Sequence, residues 1–280
     1  MGLPFLPQIV LYWGKIHLEG GLPMTYDAAL RALLTALLEE QGKTVSLPAG
    51  PEERRKLLRA LMNTRPPKPI APELLVLQDQ ILQDDLSRRV LTDADTLPPV
   101  PLDRRISLWR GDITALRCQA VVNAANPALL GCFRPLHNCI DNVIHSAAGI
   151  QLRLACHARM EAQGHPEPPG KAKLTPAYNL PAQYVLHTVG PRVEGEVTPA
   201  DRTALENCYR SCLSLAAKNQ IEQVAFCCIA TGVYGFPGEE AAALAVATVR
   251  EELDHLPQIR QVIFNVFTPR DEALYRALLF

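Results

Sequence analysis

From Arg105 to the end of the chain, short β-rich runs alternate with helix-like stretches, and no other feature restricts the fold as strongly. Residues 106–109, 120–124, 184–188, 223–228 and 261–267 carry the β-branched and aromatic residues typical of strands. Residues 139–149, 151–163, 199–219, 238–253 and 271–279 carry apolar residues at helical spacing. Such alternation predicts an α/β fold with a mainly parallel central sheet, because the crossovers between parallel strands lay helices on both faces. Ligands of such sheets bind beyond the carboxyl ends of the strands. The three most unusual loops of this chain each follow an apolar strand, which predicts that they gather around one crevice.

Before residue 100 the pattern is helical. Residues 26–40 (YDAALRALLTALLEE), 51–62 and 72–91 read as amphipathic helices. Thr25 is the expected N-cap of the first and Gly42 its stop, and Pro51 suits the opening turn of the second. Arg65-Pro-Pro-Lys-Pro69 is a stiff connector, and Leu97-Pro-Pro-Val-Pro101 marks a boundary. We therefore divide the chain into a helical N-terminal extension, 1–100, and a main domain, 101–280. The extension shows no motif with chemistry of its own.

The net charge of −1 argues against a nucleic-acid or anionic-membrane partner. It leaves room for a local phosphate site at a helix N-terminus. No stretch approaches the roughly 20 uninterrupted apolar residues of a membrane span. The apolar stretch from Met1 to Leu11 is broken by Pro4 and Pro7 and lacks a basic flank, so it does not read as a signal peptide. All eight cysteines lie at or after Cys118. Buried thiols plus a metal site in a reducing cytoplasm fit that distribution better than an exported disulfide scaffold. A monomer is the expected state.

The first loop, Asn123-Ala-Ala-Asn126, follows the run 120–122. Asn126-Pro127 alone is an ordinary turn signal, but two asparagines separated by alanines also present amides to a ligand in a cleft. Upstream, Asp112 in Trp109-Arg-Gly-Asp-Ile113 reads, taken alone, as a helix N-cap. The second loop runs from Gly131 to Asp141 and places Cys132, His137 and Cys139 in a C-x4-H-x-C spacing just before a helix. Thiolate and imidazole are favoured zinc ligands, and three of them leave the fourth position open, as in catalytic sites. Two buried cysteines and a capping histidine fit the same spacing. His145, on the following helix, is either a fourth ligand that closes the site or a packing residue. Asp141 either favours the helix N-terminus electrostatically or orients a water or hydroxyl beside a metal. In the third loop, 229–238, Gly232, Gly235 and Gly238 allow tight turns and exposed N–H groups that suit a diphosphate. Cys227 and Cys228 precede it and read as core.

Together these pieces resemble the macrodomain family over about residues 104–280. The residues that carry the match are Gly111-Asp-Ile-Thr114, Ala120-Val-Val-Asn-Ala-Ala-Asn-Pro127, Leu129-Leu-Gly131, Asp141-Asn-Val-Ile-His-Ser-Ala-Ala-Gly149, Leu186-His-Thr-Val-Gly-Pro191 and Ala230-Thr-Gly-Val-Tyr-Gly-Phe-Pro237. Most macrodomains carry a run of glycines after Leu-Leu-Gly; here Cys132 to Cys139 replace it. That departure, with the helical extension, resembles the zinc-dependent branch associated with sirtuin-like ADP-ribosyltransferases and lipoyl-carrier proteins.

The resemblance implies a three-layer α/β/α fold with a mixed, mainly parallel sheet, and ADP-ribose as ligand. It implies that Asp112 binds the adenine amino group with Ile113 beside it, and that Phe267 lines the adenine pocket. Thr231, Gly232, Val233, Tyr234, Gly235 and Phe236 would cradle the diphosphate. Asn123 and Asn126 would face the ligand, with Asn126 on the distal ribose. Zn2+ would sit on Cys132, His137 and Cys139, and Asp141 would handle the proton of an attacking water. The implied activity is removal of mono-ADP-ribose from a protein side chain, most simply a carboxylate, with a lipoyl-carrier protein among the substrates. The same pocket also suits a reader that binds ADP-ribose without cleaving it, or a deacetylase of O-acetyl-ADP-ribose. A structural zinc scaffold follows only if His145 completes the ligand set.

Overall fold

Among the described residues the first element of the extension is the helix α1 (Tyr26–Glu39), whose first turn is capped by the Thr25 side chain accepting from Ala28 N. Leucines 30, 33, 34, 37 and 38 line one face of it, as the helical period requires. Helices α2 (Pro51–Thr64) and α3 (Pro72–Ser87) each begin on a proline, where the missing N–H has no partner to lose. The three close on a small core of their own, with Leu58, Met62 and Ile81 at its centre, which reaches the main domain through Ile150. A computed structural model describes residues 24–280, so the stretch from Met1 to Leu11 lies outside the described residues.

Helix α3 stops at Ser87 rather than near residue 91, and the chain turns at once into sheet pairing. Strand β1 (Thr92–Asp93) joins β4 (Leu116–Arg117) in a two-stranded piece. Strand β2 (Pro99–Val100) pairs antiparallel with β3 (Asp103–Arg110) at the edge of the main sheet. Strand pairing thus carries the main domain back to Thr92, ahead of the proline cluster drawn as the boundary at residue 100.

The main sheet has the order β2-β3-β9-β8-β5-β7-β6, with β5 at Ala120–Ala125, β6 at Ala172–Pro176, β7 at Tyr184–Val189, β8 at Gln223–Phe226 and β9 at Gln261–Val266. Strands β3, β9, β8, β5 and β7 run parallel, and the two edges, β2 and β6, run antiparallel to their neighbours. Successive residues of β5, β7, β8 and β9 are buried almost without exception, so both faces of the sheet are covered. Helices α4 (Ile140–Ala148) and α5 (Ile150–Gln163) pack together beside the extension, and α6 (Pro199–Lys218), α7 (Gly238–His255) and α8 (Pro269–Leu279) pack in succession. The alternating pattern after Arg105 therefore has the structural meaning expected of it.

Strand β6 lies within residues 161–177, a stretch rich in proline and glycine. Its polar sequence, Ala172-Lys-Leu-Thr-Pro176, hides a strand because an edge strand needs few apolar residues and tolerates proline.

Candidate active site

A cleft of ≈1410 Å³ lies across the carboxyl ends of the parallel strands. Gly111 and Asp112 enter it from β3, Asn126 from β5, Gly190 from β7, Cys227 and Cys228 from β8, and Phe267 from β9. The three unusual loops do share one crevice, as the strand ends require. Gly190, just beyond β7, packs closely against the loop that follows β8: a Cβ there would meet Ala230 Cβ at 2.9 Å.

At one end of the cleft, Asp112 caps Thr114, accepting from its N at 2.9 Å and its Oγ1 at 2.7 Å. Ile113 is buried beside it, and Phe267 stands exposed at the rim. Along the middle, Thr231, Gly232, Val233 and Tyr234 line the wall. Among the described residues, the N–H groups of these four donate to no backbone carbonyl, which leaves a row of donors suited to an anion. Gly235 and Phe236 do not join them. Their N–H groups donate to Gly232 O and Ala230 O, both at 3.0 Å, and Phe236 is buried. Ala230, at φ +64°, supplies the left-handed turn that folds the loop back on itself.

At the other end Asp141, on the first turn of α4, is 4% exposed and still lines the cleft. Asn123 Nδ2 donates to its Oδ1 at 2.8 Å and Asn126 Nδ2 to its Oδ2 at 3.1 Å. Burial pushes the carboxyl up to about 6, against the two amides that hold it down. Asn123 itself is fully buried and does not line the cleft. It acts through Asp141, so the expected direct contact with a ligand falls to Asn126 alone. Asn126 also donates to Gly131 O at 2.8 Å, tying the strand end to the next loop.

Beside Asp141, Cys132 Sγ and His137 Nδ1 are 3.3 Å apart, and with Cys139 Sγ the three donor atoms lie within 4.8 Å of one another. Burial pushes the Cys139 thiol up to about 11, with the neighbouring Cys132 adding to the effect. Two thiols and an imidazole brought together at a cleft wall, with one thiolate disfavoured in the absence of a positive partner, are a donor set that fits zinc.

His145 is not part of that set. It lies behind Asp141 with Cys156 and His187, all three buried. His187 is occupied by Asn123 at 3.2 Å, Thr175 at 2.9 Å and Cys156 at 3.6 Å. Burial holds both imidazoles below their ordinary value, His187 at about 3, so the 3.5 Å approach of His145 to Asp141 is a contact of a neutral ring. His145 therefore packs behind the site, away from the Cys132–His137–Cys139 set, with neither ring nitrogen hydrogen-bonded among the described residues.

Residues 122–245 match the family described as Macro domain. A protein-ADP-ribose hydrolase of Treponema medium is 48% identical over 237 residues, covering 84% of this chain and 91% of that one. The chain belongs to the macrodomain family. A protein of the same name from Staphylococcus aureus strain MSSA476 is 46% identical, over 82% of this chain and 86% of that one. The solved structure of a Trypanosoma brucei macrodomain in complex with ADP-ribose superposes with a TM-score of 0.62 at 30% identity, over 85% of this chain and all of that chain.

This macrodomain also uses residues that sequence reasoning passed over. Arg153, on the apolar face of α5 and 5% exposed, donates from Nε to Leu130 O at 2.7 Å. Asn142 Nδ2 donates to Arg134 O and His137 O, each at 3.1 Å. Arg89, just beyond α3, reaches Asp112. The one sequence signal for any of them is an arginine set among the buried positions Leu152 and Cys156.

Proposed function

We propose that the protein is a zinc-dependent hydrolase that releases ADP-ribose from modified protein side chains. The single observation that carries the reading is Asp141, a buried carboxylate held by two asparagine amides at the cleft and set beside Cys132, His137 and Cys139. The two relatives named protein-ADP-ribose hydrolase support the activity, and the macrodomain seen with ADP-ribose supports the ligand.

ADP-ribose lies along the cleft with adenine at Asp112, Ile113 and Phe267. Its diphosphate takes the free N–H groups of 231–234, and its distal ribose lies at Asn126. Cys132, His137 and Cys139 would hold Zn2+, which when bound supplies a Lewis acid able to acidify a water or a ribose hydroxyl. Asp141 is poised to accept the proton of a water that attacks the anomeric carbon, and its pKa near 6 leaves it ionised at neutral pH. The bond broken joins that carbon to a side-chain carboxylate, which departs with the bonding pair and needs no proton to leave. A lipoyl-carrier protein is the proposed kind of substrate. The eight cysteines are all free thiols, which suits a reducing cytoplasm. Among the described residues, no helix is long and apolar enough to cross a membrane.

The test is release of ADP-ribose from a protein modified on a carboxylate, before and after zinc is stripped. Release that stops on chelation and returns with zinc supports the proposal in full. Tight ADP-ribose binding with no release from any modified protein would replace it with a reader.

A further inference from the structure

The loop from Cys132 to Cys139 contains no glycine, yet it turns through backbone conformations that L residues rarely adopt. Phe133 has φ +31° and Leu136 φ +60°, and Leu129 just before the loop has φ +57°. Conformations of this kind persist when the surroundings over-determine them. Part of what surrounds this loop lies outside the macrodomain, on α2 of the extension.

Asn63, 1% exposed near the end of α2, accepts from Leu136 N at 3.0 Å through Oδ1 and donates to Ser146 Oγ at 2.8 Å through Nδ2. It therefore pins the strained residue beside His137 to helix α4. One turn earlier, Arg59 Nη2 donates to His137 O at 2.9 Å and to Asn138 Oδ1 at 3.0 Å. Arg153 binds the two elements together. Its Nη1 donates to Met62 O at 2.8 Å and its Nη2 to Asn63 O at 3.0 Å, satisfying carbonyls at the carboxyl end of α2. Its guanidinium lies 4.5 Å from the ring of Phe133.

We infer that α2 is the template of the Cys132–His137–Cys139 loop, with Asn63 and Arg59 as positioning residues that set the three donor atoms. Asn63 does not line the cleft and Arg59 lies on its wall; each holds the backbone of the segment between the first ligand and the last. Groups that orient metal ligands from outside typically carry a 10–100-fold share of the affinity. The inference rests on the zinc reading for one of its two readouts only.

The test uses the full chain with Asn63→Leu, Arg59→Ala and, as control, Ser146→Ala, which removes the other partner of Asn63 and leaves Leu136 N–H bonded. Zinc affinity is measured by competition with a chromogenic chelator. Backbone hydrogen exchange of residues 133–138 is measured in the zinc-free chain. Asn63→Leu is expected to weaken zinc about 10- to 100-fold and to speed exchange of the loop at least about tenfold, with ADP-ribose affinity within about twofold. Arg59→Ala, at a half-buried site, is expected to move both readouts in the same direction by about three- to tenfold, and Ser146→Ala to move neither. Unchanged loop exchange in folded Asn63→Leu or Arg59→Ala would overturn the inference. If the wild-type chain takes up no zinc, the zinc reading falls, and the exchange comparison still decides the role of α2.

Discussion

Arg89 and Asp112 meet across 2.7 Å, Nη2 to Oδ2, where the end of the helical extension touches the β3 end of the cleft. Thr114 holds the other carboxylate oxygen, so Asp112 is fixed on both sides before a ligand arrives. The two side chains are 34% and 42% exposed, so the pair itself contributes less than ~1 kcal/mol to stability. Arg89→Ala is therefore expected to leave the Tm nearly unchanged and to weaken ADP-ribose by up to about fivefold in a calorimetric titration. A tighter complex would mean that Arg89 competes with the adenine for Asp112.

Asp141→Asn keeps the volume of the side chain and removes its capacity to take a proton. Single-turnover release of ADP-ribose from a carboxylate-modified protein is expected to slow by about 10²- to 10⁴-fold, while affinity for free ADP-ribose changes by no more than a few fold. Turnover that survives the substitution would move the proton acceptor elsewhere in the cleft.

The thiols divide by access. Cys118, Cys156, Cys208, Cys212 and Cys227 are buried, whereas Cys132, Cys139 and Cys228 are half-buried at the cleft, with burial pushing the Cys228 thiol up. A disulfide reagent added to the zinc-free native chain is expected to modify Cys132 and Cys139 first, with Cys228 slower, and saturation with zinc to protect Cys132 and Cys139. Peptide mapping reads the order directly. Protection of the cluster around Cys156 instead would place the metal in the interior.

Two buried imidazoles set the acid limit of the fold. His187 is held at about 3 by burial, and His145 is driven well below 6.5 by burial, the neighbouring His187 and Arg153. Both are neutral when folded and take up protons only on unfolding, so their stabilisation is complete above pH 6.5 and falls as pH drops towards 3. Asp141 works in the opposite sense: raised from 3.8 to about 6, it lets the folded chain hold an extra proton between those values. Two protons gained by the unfolded chain against one kept by the folded chain still leave a net loss of stability on acidification. Urea midpoints of the zinc-free chain are expected to fall steadily from pH 6.5 to 4.5, and His187→Gln to flatten the slope. A midpoint that rises on acidification would show that Asp141 outweighs both rings.

What could be read from the sequence follows from the range over which each interaction acts. The Thr25 cap, the prolines that open α2 and α3, and the strand ends at Asp112, Asn126 and Phe267 are local, and the structure places them where the pattern put them. The row of N–H donors at 231–234 was legible as a glycine loop, but not the folding back at Gly235 and Phe236, which depends on two carbonyls of the same turn. Asn123 was expected to face the ligand, but a strand residue's direction depends on register: its buried amide donates to Asp141, and the residue does not line the cleft. The contacts of Asn63 and Arg59 were invisible. Each crosses more than seventy residues to reach the loop, and nothing in a single helix records what will dock on it.

The two edges of the main sheet bear on how copies of this protein meet. Strand β2 is two residues long and begins at Pro99, and β6 ends at Pro176. Short strands and prolines at a border deprive a visiting strand of a continuous ladder to extend. Ribbon-to-ribbon growth from either border is therefore disfavoured, and the parallel strands between the two borders keep their carboxyl ends free to shape the cleft.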